Sequence, residues 1–387
     1  MRFLILSDLH ATFESSEVKN SRLVFENTES EFGTRFIQYC KSLNFHFDFL
    51  VCPGDISNQG CGESFKSGWK FLNEVSHKLN IKEILCVPGN HDLQSRPESN
   101  FSPLHTVKFC EPNFPSTCYE TNTHFWGWNW GHIETENFNC ILLNSSAYHG
   151  FSSEYKHGRV APETTKQLSE FITSDKFKQR TFNVLLCHHH PVKREDIDFD
   201  SDHDVMDGGQ ALLNELEKVT SEPWLIIHGH KHFASIFRAQ SAGFNAPLIF
   251  SAGSFSAKLY PKIESRTSNQ FYILDIDLKE TLEKDCLVGT FEAHSWNIEN
   301  NWHPSSSDNL PYKGGFGTDI KPRDIITKLK ELLAEDPYLD ESSLQPIYEM
   351  LTHYTPTEFK ELLQKLTKLN FEYDISDNKL IQVALKK

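Results

Sequence analysis

Six short apolar runs along the chain each end in glycine, proline or a cluster of polar residues. The runs are FLIL, FDFLVC, EILCV, FNVLLC, WLII and PLIF, and they begin at residues 3, 47, 83, 182, 224 and 247. Runs of this length that are rich in aliphatic and aromatic residues and closed in this way predict buried strands. The pattern alone therefore predicts an α/β fold with buried strands.

Asp, Asn and His are concentrated where the first five runs end. These residues are Asp8, His10, Asp55, Asn90, His91, Asp92, His188, His189, His190, His230 and His232. The sixth run ends in small residues at 251–254. In α/β proteins the carboxyl ends of strands share one crevice, so residues distant in sequence converge there. Two divalent cations about 3.5–4 Å apart need a bridging carboxylate, other oxygen donors and neutral imidazoles. The strand ends supply all of these.

The spacing within the clusters suits a shared site. Asp55 follows a Pro-Gly pair that lets the chain turn sharply, which makes its carboxylate the expected bridge. Asp8 and His10 are two residues apart, and so are His230 and His232. In an extended chain such pairs point to one face, so Asp8 and His10 can both reach one ion, and the second pair places two imidazoles on one side as the second half of the cage. The glycine before the second pair allows close approach of the backbone.

Five motifs stand in a fixed order: D-x-H at 8–10, G-D at 54–55, G-N-H-D at 89–92, H-H-P at 189–191 and G-H-x-H at 229–232. With these motifs, each after a predicted strand, the chain resembles the calcineurin-like metallophosphoesterase superfamily over roughly residues 1 to 280. One motif alone is matched equally well by ordinary turn residues after a strand. Because five motifs occur in the expected order, the probability that all of them are only turn residues falls to about a few per cent.

The resemblance implies a four-layer α/β/β/α sandwich over residues 1–291 that holds two metal ions. One ion would be bound by Asp8, His10, Asp55 and His232. The other would be bound by Asp55, Asn90, His189 and His230. Such O and N donors suit Mn²⁺, Fe, Zn²⁺ or Ni²⁺, and Mn²⁺ is the ion expected to serve in vitro.

The run His188-His189-His190 leaves the choice of ligand open. In the resembling family the ligand stands two residues before the proline, which favours His189. In an extended chain His188 would point to the opposite face, and His190 would be a neighbour of the ligands or of the substrate.

The resemblance also implies catalytic roles for His91 and Asp92. His91 would stand above the metals without binding them and protonate the leaving oxygen, and Asp92 would orient its imidazole. A carboxylate beside an imidazole raises the pKa of the imidazole, so we expect His91 to be protonated near neutrality. The implied reaction is in-line attack on phosphorus by a metal-bridging hydroxide.

The function predicted from these residues is a phosphodiesterase acting on small nucleotides or related phosphodiesters. A phosphomonoesterase and a nuclease are the alternatives within the same chemistry. The formal net charge of −15 makes long nucleic acid an unfavourable partner. A non-catalytic scaffold that binds partners through the C-terminal helices is the alternative of another class. The intact ligand set argues against it.

Residues 93–182 correspond to the region where the family places its substrate-determining cap. The run Phe125–Trp130 alternates large apolar residues with smaller or polar ones, which predicts a half-buried strand. A stacking platform for a nucleobase is the functional alternative. Arg159 is a candidate phosphate clamp, and His149 and His157 are candidate substrate contacts. For His149 and His157 a solvated loop residue is the favoured explanation, by about three to one. For Arg159 a solvated loop cation is the open alternative.

The chain changes character after residue 291. Residues 292–321 are rich in Gly, Pro, Ser and Asn and predict a linker or extended arm. In 322–387 apolar residues at helical spacing predict a small helical module. The separate linker favours a role in binding a protein partner or in self-association, and a bundle that only adds stability is the alternative. The third helix of the module is marked by an N-cap at Thr355, a proline at the first helical position and Glu358 three residues after the cap.

Composition adds an expectation about location. The chain has 387 residues and nine cysteines, several of them inside apolar runs and none in a C-x-x-C spacing. The first apolar run ends at a proposed metal ligand, so it does not fit a cleaved signal peptide. No run approaches the length needed to cross a bilayer. We therefore expect a cytoplasmic protein without membrane contact.

Overall fold

The computed structural model describes residues 1–13, 20–27, 29–94, 102–150, 154, 157–193, 203–239, 246–307, 309–376 and 378–386. In its first part the elements are β1 (Arg2–Ile5), β2 (Thr12–Phe13), β3 (Val24–Phe25), α1 (Glu31–Ser42), β4 (Phe49–Cys52), α2 (Gly62–Lys78), β5 (Glu83–Cys86), α3 (His105–Lys108), α4 (Tyr119–Trp128), β6 (Trp130–Glu134), β7 (Phe138–Leu143), α5 (Pro162–Ile172), β8 (Phe182–Leu186), α6 (Gly209–Val219) and β9 (Trp224–His228). A turn of 3₁₀ helix covers Asn90–Asp92.

The remaining elements are β10 (Ser235–Arg238), β11 (Leu248–Ser251), α7 (Pro261–Glu264), β12 (Gln270–Ile276), α8 (Leu278–Lys284), β13 (Gly289–Asn297), β14 (Asn301–Pro304), β15 (Lys313–Phe316), α9 (Pro322–Glu335), β16 (Tyr338–Leu339), α10 (Gln345–Leu351), α11 (Pro356–Lys368), β17 (Phe371–Ser376) and β18 (Lys379–Leu385). All six apolar runs form strands, as predicted. No helix in the described ranges is both long and apolar enough to cross a membrane.

Two mixed sheets carry the predicted strands. The first sheet has the order β14-β13-β12-β1-β4-β5, and β15 also pairs with β13. Within it β1, β4 and β5 are parallel neighbours. The second sheet has the order β10-β11-β9-β8-β7-β6, and its four central strands, β11, β9, β8 and β7, are parallel neighbours. Parallel neighbours bring their carboxyl ends to the same edge of a sheet, where the polar clusters follow.

The two sheets pack face to face and are covered by helices on their outer faces. Between the sheets lies one apolar layer that includes Ile5 and Val51 from the first sheet and Leu186 and Ile227 from the second. Helices α1 and α2 pack on the outer face of the first sheet, and α5 and α6 on that of the second. The predicted four-layer α/β/β/α sandwich is confirmed.

The region predicted as a linker is largely part of the first sheet. Strands β13, β14 and β15 lie within residues 289–316, and β13 pairs with β12, with β14 and with β15. A linker without regular structure is therefore a wrong prediction here. The strands were not predicted because asparagine and glycine, which are rare in strands, are frequent in this region. The buried apolar positions are filled by Trp296, Trp302 and Phe316, and their spacing among these residues showed no strand pattern.

The C-terminal module is mixed rather than helical. The three predicted helices are present as α9, α10 and α11, and Thr355 and Glu358 form the predicted capping box. A three-stranded antiparallel sheet of order β16-β18-β17 accompanies them. The module has an apolar core of its own, which includes Leu329, Leu362 and Leu380. It joins the first sheet at β15, where the backbone N–H of Gly315 donates to the carbonyl of residue 354 at 3.0 Å.

The predicted aromatic strand Phe125–Trp130 is wrong for most of its length. Residues up to Trp128 belong to helix α4, and only Trp130 begins a strand. Phe125 is buried between the sheets, while Trp128 is 57 % exposed. Asn129 takes a left-handed conformation, with φ 64°, and ends the helix. The alternation of large and small side chains therefore spans the end of α4 and the start of β6. Alternation alone does not show where a helix ends.

Candidate metal centre

The predicted ligands converge at the carboxyl ends of both sheets. Asp8 and His10 follow β1, and Asp55 follows β4. Asn90 opens the 3₁₀ turn after β5. The histidines come from the second sheet, after β8 and β9. The site therefore lies at the seam where the two sheets meet, and each sheet contributes part of it.

Five of the predicted ligands have left-handed backbone conformations. The φ angles are 50° at Asp8, 46° at His10, 52° at Asp55, 75° at His230 and 54° at His232. Asp and His are among the side chains that tolerate this region, and such residues cluster at functional sites. The expected extended geometry at the two i, i+2 pairs is thus wrong, although the pairs do converge. The backbone is held by hydrogen bonds from the N–H of Asp8 and of His10 to the 54–55 turn, at 3.1 and 2.9 Å.

A first donor cluster consists of Asp8, His10, Asp55 and His232. Their donor atoms lie within 4.8 Å of one another. Nε2 of His10 is 3.3 Å from Oδ2 of Asp55, and Nε2 of His232 is 3.3 Å from Oδ1 of Asp8. All four side chains are buried or nearly so. Two carboxylates and two imidazoles in this arrangement form a suitable set for one divalent cation.

A second donor cluster lies against the same carboxylate. Nε2 of His188 is 3.3 Å from Oδ2 of Asp55 and 3.1 Å from Oδ1 of Asn90. Nδ1 of His230 is 3.0 Å from the same Asn90 oxygen and 3.3 Å from Nε2 of His188. Asp55 is therefore shared by both clusters, in the position that a bridging carboxylate takes.

The three consecutive histidines have different surroundings. Nδ1 of His188 lies 2.8 Å from the carbonyl oxygen of Pro53, which leaves Nε2 facing the cluster. His189 also belongs to the group of donors around His230, and its Nδ1 lies 2.9 Å from Oγ of Ser145. The ring of His190 stacks on that of His230 at 5.8 Å. These contacts favour His188 as the ligand, whereas the sequence pattern favours His189.

The charges of the donors suit metal binding. Burial alone would raise the pKa of the Asp55 carboxyl, but the attraction of His188 and His91 and hydrogen bonds from His10 and His188 hold it well below its usual range. Burial holds the pKa of His230 well below its usual range, and the neighbouring histidines lower it further. Anionic carboxylates and neutral imidazoles are the forms that bind divalent cations. Burial alone would lower the pKa of His188, but Asp55 raises it to about 9, so without a metal ion a proton lies where a cation would bind beside Asp55. The residues therefore fit two divalent ions, which would displace such protons.

Comparison with known proteins identifies the family. The sequence model of the calcineurin-like phosphoesterases matches residues 1–234. The chain belongs to the calcineurin-like phosphoesterase family. This chain is therefore a metal-dependent phosphoric ester hydrolase, and the family resemblance inferred from the five motifs is confirmed. No curated protein matches the sequence of this phosphoesterase.

Several solved structures are similar to the phosphoesterase. A purple acid phosphatase from yellow lupin (Lupinus luteus) seeds shares 13% identity at a TM-score of 0.45, over 76% of this chain and 51% of that one. A dimetal phosphatase from Danio rerio shares 12% identity at a TM-score of 0.44, over 74% and 94%. The NAD nucleotidase of Haemophilus influenzae shares 10% identity at a TM-score of 0.35, over 96% and 61%. This chain spans about half the length of the lupin enzyme.

His91 lies beside the first cluster, but its expected contact with Asp92 is wrong. The carboxylate of Asp92 accepts hydrogen bonds from the backbone N–H and hydroxyl of Ser57, at 2.7 and 3.0 Å, and from the N–H of Gly89, at 2.9 Å. Asp92 thus shapes the turn that carries His91. The His91 ring packs on that of His10 at 4.5 Å.

The protonation expected for His91 is also wrong in this structure. Burial lowers its pKa to about 4, against the opposing attraction of Asp55, and nearby histidines lower it further. Burial together with repulsion from Asp55 raises the pKa of Asp92 to about 6. Within the described part of the phosphoesterase, Nδ1 of His91 is buried without a hydrogen-bond partner. An uncompensated nitrogen at this position is suited to meet a ligand atom.

The three candidate substrate contacts form a linked group. Arg159 donates to both carboxylate oxygens of Glu154, at 2.7 and 3.1 Å, and its Nη2 also lies 2.9 Å from Oδ2 of Asp207. Nε2 of His157 is 3.3 Å from the same Asp207 oxygen. His149 is buried, which a solvated loop residue would not be, and its ring packs on that of His189 at 5.4 Å. The guanidinium of Arg159 is thus occupied by carboxylates.

The sequence did not single out several residues that shape the site. Ser145 lies in contact with His189, and the exposed Tyr260 packs on His232 at 5.9 Å with its hydroxyl bonded to the carbonyl of Lys231 at 2.7 Å. Ser145 stands two residues after the apolar run CILL, at a strand end like the ligands, and this placement was the available signal. Tyr260 carries no comparable signal, because it follows no apolar run.

Proposed function

We propose that this phosphoesterase is a phosphodiesterase that acts on small nucleotides or related phosphodiesters. The observation that carries the proposal is the sharing of Asp55 by two donor clusters, with His91 beside them. A pair of metal ions would supply Lewis acidity and a nucleophile at neutral pH. The following steps concern what the residues of the chain contribute.

Two sets of residues would hold the ions. Asp8, His10, Asp55 and His232 would bind the first ion. The second would be bound by Asp55, Asn90, His230 and either His188 or His189, and the contact of His188 with Asn90 favours His188. Mn²⁺ is the ion we propose for reconstitution, since the O and N donors do not select one metal by themselves.

His91 and Asn90 would act on the substrate. The backbone N–H of His91 donates to Oδ1 of Asp55 at 2.7 Å, which fixes the start of the turn beside the bridging carboxylate. From there the neutral imidazole would donate a hydrogen bond to the leaving oxygen and stabilise the charge that develops on it. The side-chain amide of Asn90 would orient a non-bridging oxygen of the phosphoryl group.

The charge of the surroundings supports a diester over a monoester. A phosphomonoester carries up to two negative charges at neutral pH, and a diester carries one. Arg159 is paired with Glu154 and Asp207, and Nζ of the buried Lys231 is 3.1 Å from a carboxylate oxygen of Asp204. Both cations are thus already neutralised. A monoanionic phosphoryl group needs less additional positive charge than a dianionic one.

Two further expectations belong to this proposal. All nine cysteines lie in described residues and are free thiols, which supports a reducing compartment such as the cytoplasm. The C-terminal module, residues 322–387, has its own core and contains none of the proposed ligands, which supports a role in binding a protein partner or a second copy.

The test is a comparison of two chromogenic substrates. Protein stripped of metal and reloaded with Mn²⁺ would be assayed on bis(p-nitrophenyl) phosphate and on p-nitrophenyl phosphate, with His91→Gln as the variant. We expect a higher kcat/KM for the diester, and a loss in kcat of about 10²–10⁴-fold in the variant. A higher kcat/KM for the monoester would make the chain a phosphomonoesterase, and hydrolysis restricted to polynucleotides would make it a nuclease.

A further inference from the structure

Ser145 is a buried serine whose hydroxyl contacts the histidine run after β8. Its Oγ accepts hydrogen bonds from the backbone N–H of His188 at 3.3 Å and of His189 at 3.1 Å. The same oxygen lies 2.9 Å from Nδ1 of His189. Ser145, which follows β7 of the second sheet, therefore fixes both the backbone of the histidine run and the ring of His189.

The number of hydrogen bonds decides the direction of the contact with His189. A hydroxyl oxygen has two lone pairs and one proton. Both lone pairs are used by the two backbone N–H groups, so the contact with Nδ1 is made by the hydroxyl proton. Nδ1 of His189 is then the acceptor. Because a neutral imidazole carries a single proton, that proton is on Nε2 of His189.

His188 has the opposite arrangement. Its Nδ1 lies 2.8 Å from the carbonyl oxygen of Pro53, and a carbonyl can only accept. Nδ1 therefore carries a proton, and Nε2 faces two acceptors, the carboxylate of Asp55 and Oδ1 of Asn90. Burial alone would lower the pKa of His188, but Asp55 raises it to about 9, so Nε2 is also protonated without a metal ion, and an ion would take the place of that proton. A second partner of this kind fixes the tautomer and orientation of a metal-binding histidine. The two adjacent histidines thus differ: the carbonyl of Pro53 keeps a proton on Nδ1 of His188, and the hydroxyl of Ser145 leaves Nδ1 of His189 unprotonated.

The ring of His189 has little room to turn and exchange its two nitrogens. A β-carbon built on Gly158 would lie 2.4 Å from Cγ of His189 and 2.7 Å from its Nδ1. The ring of His189 also packs on that of His230, with 4.5 Å between the ring centroids. The backbone of Gly158 and the imidazole of His230 therefore both restrict the ring of His189.

We propose that Ser145 is a positioning residue that decides which of the two adjacent histidines binds metal. Its hydroxyl keeps His189 protonated on Nε2, so that His189 offers an N–H rather than a lone pair. The lone pair of His188 is then the one available to the ion held with Asp55, Asn90 and His230. This inference rests on the metal centre in the proposed function, but not on its substrate.

The first test reads the tautomers directly. In metal-free protein with ¹⁵N-labelled histidine, ¹⁵N–¹H correlation spectra distinguish a protonated from an unprotonated ring nitrogen, and His189→Gln and His188→Gln assign the signals. We expect His189 to carry a proton on Nε2 alone, and His188 to carry protons on both nitrogens and to lose the one on Nε2 when Zn²⁺ is added. A proton on Nδ1 of His189 would overturn the proposal without the need for any variant of Ser145.

The second test measures Zn²⁺ binding by calorimetry and counts the ions per chain. His188→Ala is expected to lose one of two ions, and His189→Ala to retain both. Ser145→Ala is expected to weaken one of the two sites by about 10–100-fold, and Ser145→Thr, which keeps the hydroxyl, to restore it. Loss of an ion in His189→Ala but not in His188→Ala would contradict the inference.

These readouts separate the inference from the proposed function. If the tautomers and ion counts are as expected but phosphodiesters are not hydrolysed, the substrate proposal fails and the role of Ser145 stands. If diesters are hydrolysed and the Ser145→Ala protein binds Zn²⁺ with the affinity of the wild type, the role of Ser145 is refuted and the substrate proposal stands.

Discussion

The backbone of Gly89 lies against the carboxylate of Asp55 so closely that a β-carbon on Gly89 would be 2.1 Å from Oδ1 of Asp55. The same β-carbon would be 2.4 Å from the backbone nitrogen of Asp55. Gly89 has φ −99° and ψ −178°, which any residue can adopt. Its lack of a side chain is therefore required by the carboxylate that the two donor clusters share.

Substitution of Gly89 by alanine should impair the metal centre. The methyl group would displace Asp55, so we expect Gly89→Ala to lower diester hydrolysis by at least about 10²-fold, since misplacement of a reacting group by about 1 Å has effects of this size. Overpacking should also lower the free energy of unfolding by about 1–3 kcal/mol. Activity of the Mn²⁺-loaded variant and its urea denaturation measure both effects.

Gly127 supplies the matched control. A β-carbon at this position would meet nothing within 4 Å, and Gly127 lies in helix α4. Gly127→Ala should therefore keep wild-type activity and raise the free energy of unfolding by up to about 1 kcal/mol. Equal activities of the two variants would refute the account of Gly89.

The sequence was sufficient to predict the six strands and the types of residue that could bind metal at their ends. Each apolar run had unambiguous length and composition, so Asp55 and Asn90 could be placed at strand ends. Backbone conformation was not accessible in the same way. The left-handed φ of Asp8 and His230 depends on tertiary hydrogen bonds, and the partner of Asp92 proved to be Ser57, which is 35 residues away in sequence.

The choice among the three histidines also depended on distant residues. Three identical side chains in succession carry no internal signal of register. The contacts of His188 with Pro53 and of His189 with Ser145 come from other strand ends, which only the fold brings together. The pattern of the resembling family favoured His189, and the hydrogen bonds favour His188.

Glu292 should make the stability of the first sheet dependent on pH. Its carboxylate on β13 lies 2.8 Å from Nζ of Lys313 and 3.3 Å from Nε2 of His294. Burial alone would raise the pKa of Glu292, but hydrogen bonds and attraction from His294 and Lys313 lower it to about 2. A group whose pKa is lower in the folded state contributes stability above its unfolded pKa of about 4.5 and loses it as pH falls toward 2.

Glu292→Gln should therefore lower the free energy of unfolding at pH 7, by about 1–3 kcal/mol. The difference from wild type should persist down to about pH 5 and shrink below pH 4.5. Urea denaturation at a series of pH values measures it. Glu299→Gln, in the exposed turn between β13 and β14, is the control and should stay within about 0.5 kcal/mol of wild type. A difference that grows as the pH falls would contradict the assignment.

The C-terminal module should be separable from the metal centre. Its core residues, among them Leu329 and Phe359, belong to a cluster apart from the sandwich. Deletion of 322–387 is therefore expected to leave two bound ions per chain. Leu369, Ile375 and Leu385 on the module are 43–46% exposed. If the module mediates self-association, the full chain should sediment as an oligomer and the truncated chain as a monomer.

Metal analysis and sedimentation velocity on both chains test this expectation. Identical sedimentation of the two chains would contradict self-association through the module. Loss of metal on truncation would contradict its independence from the centre. Leu282→Glu, at an exposed apolar position in α8 outside the module, is the surface control and should leave the sedimentation of the full chain unchanged.

The most direct measurement of the central claim is the number of Mn²⁺ ions bound per chain, together with diester hydrolysis, in the wild type and in Asp55→Ala. Because Asp55 is shared by both clusters, its loss should weaken both sites at once. We expect two ions and diester turnover in the wild type, and fewer than one tightly bound ion and no measurable turnover in the variant. Two ions and undiminished turnover in Asp55→Ala would contradict the account.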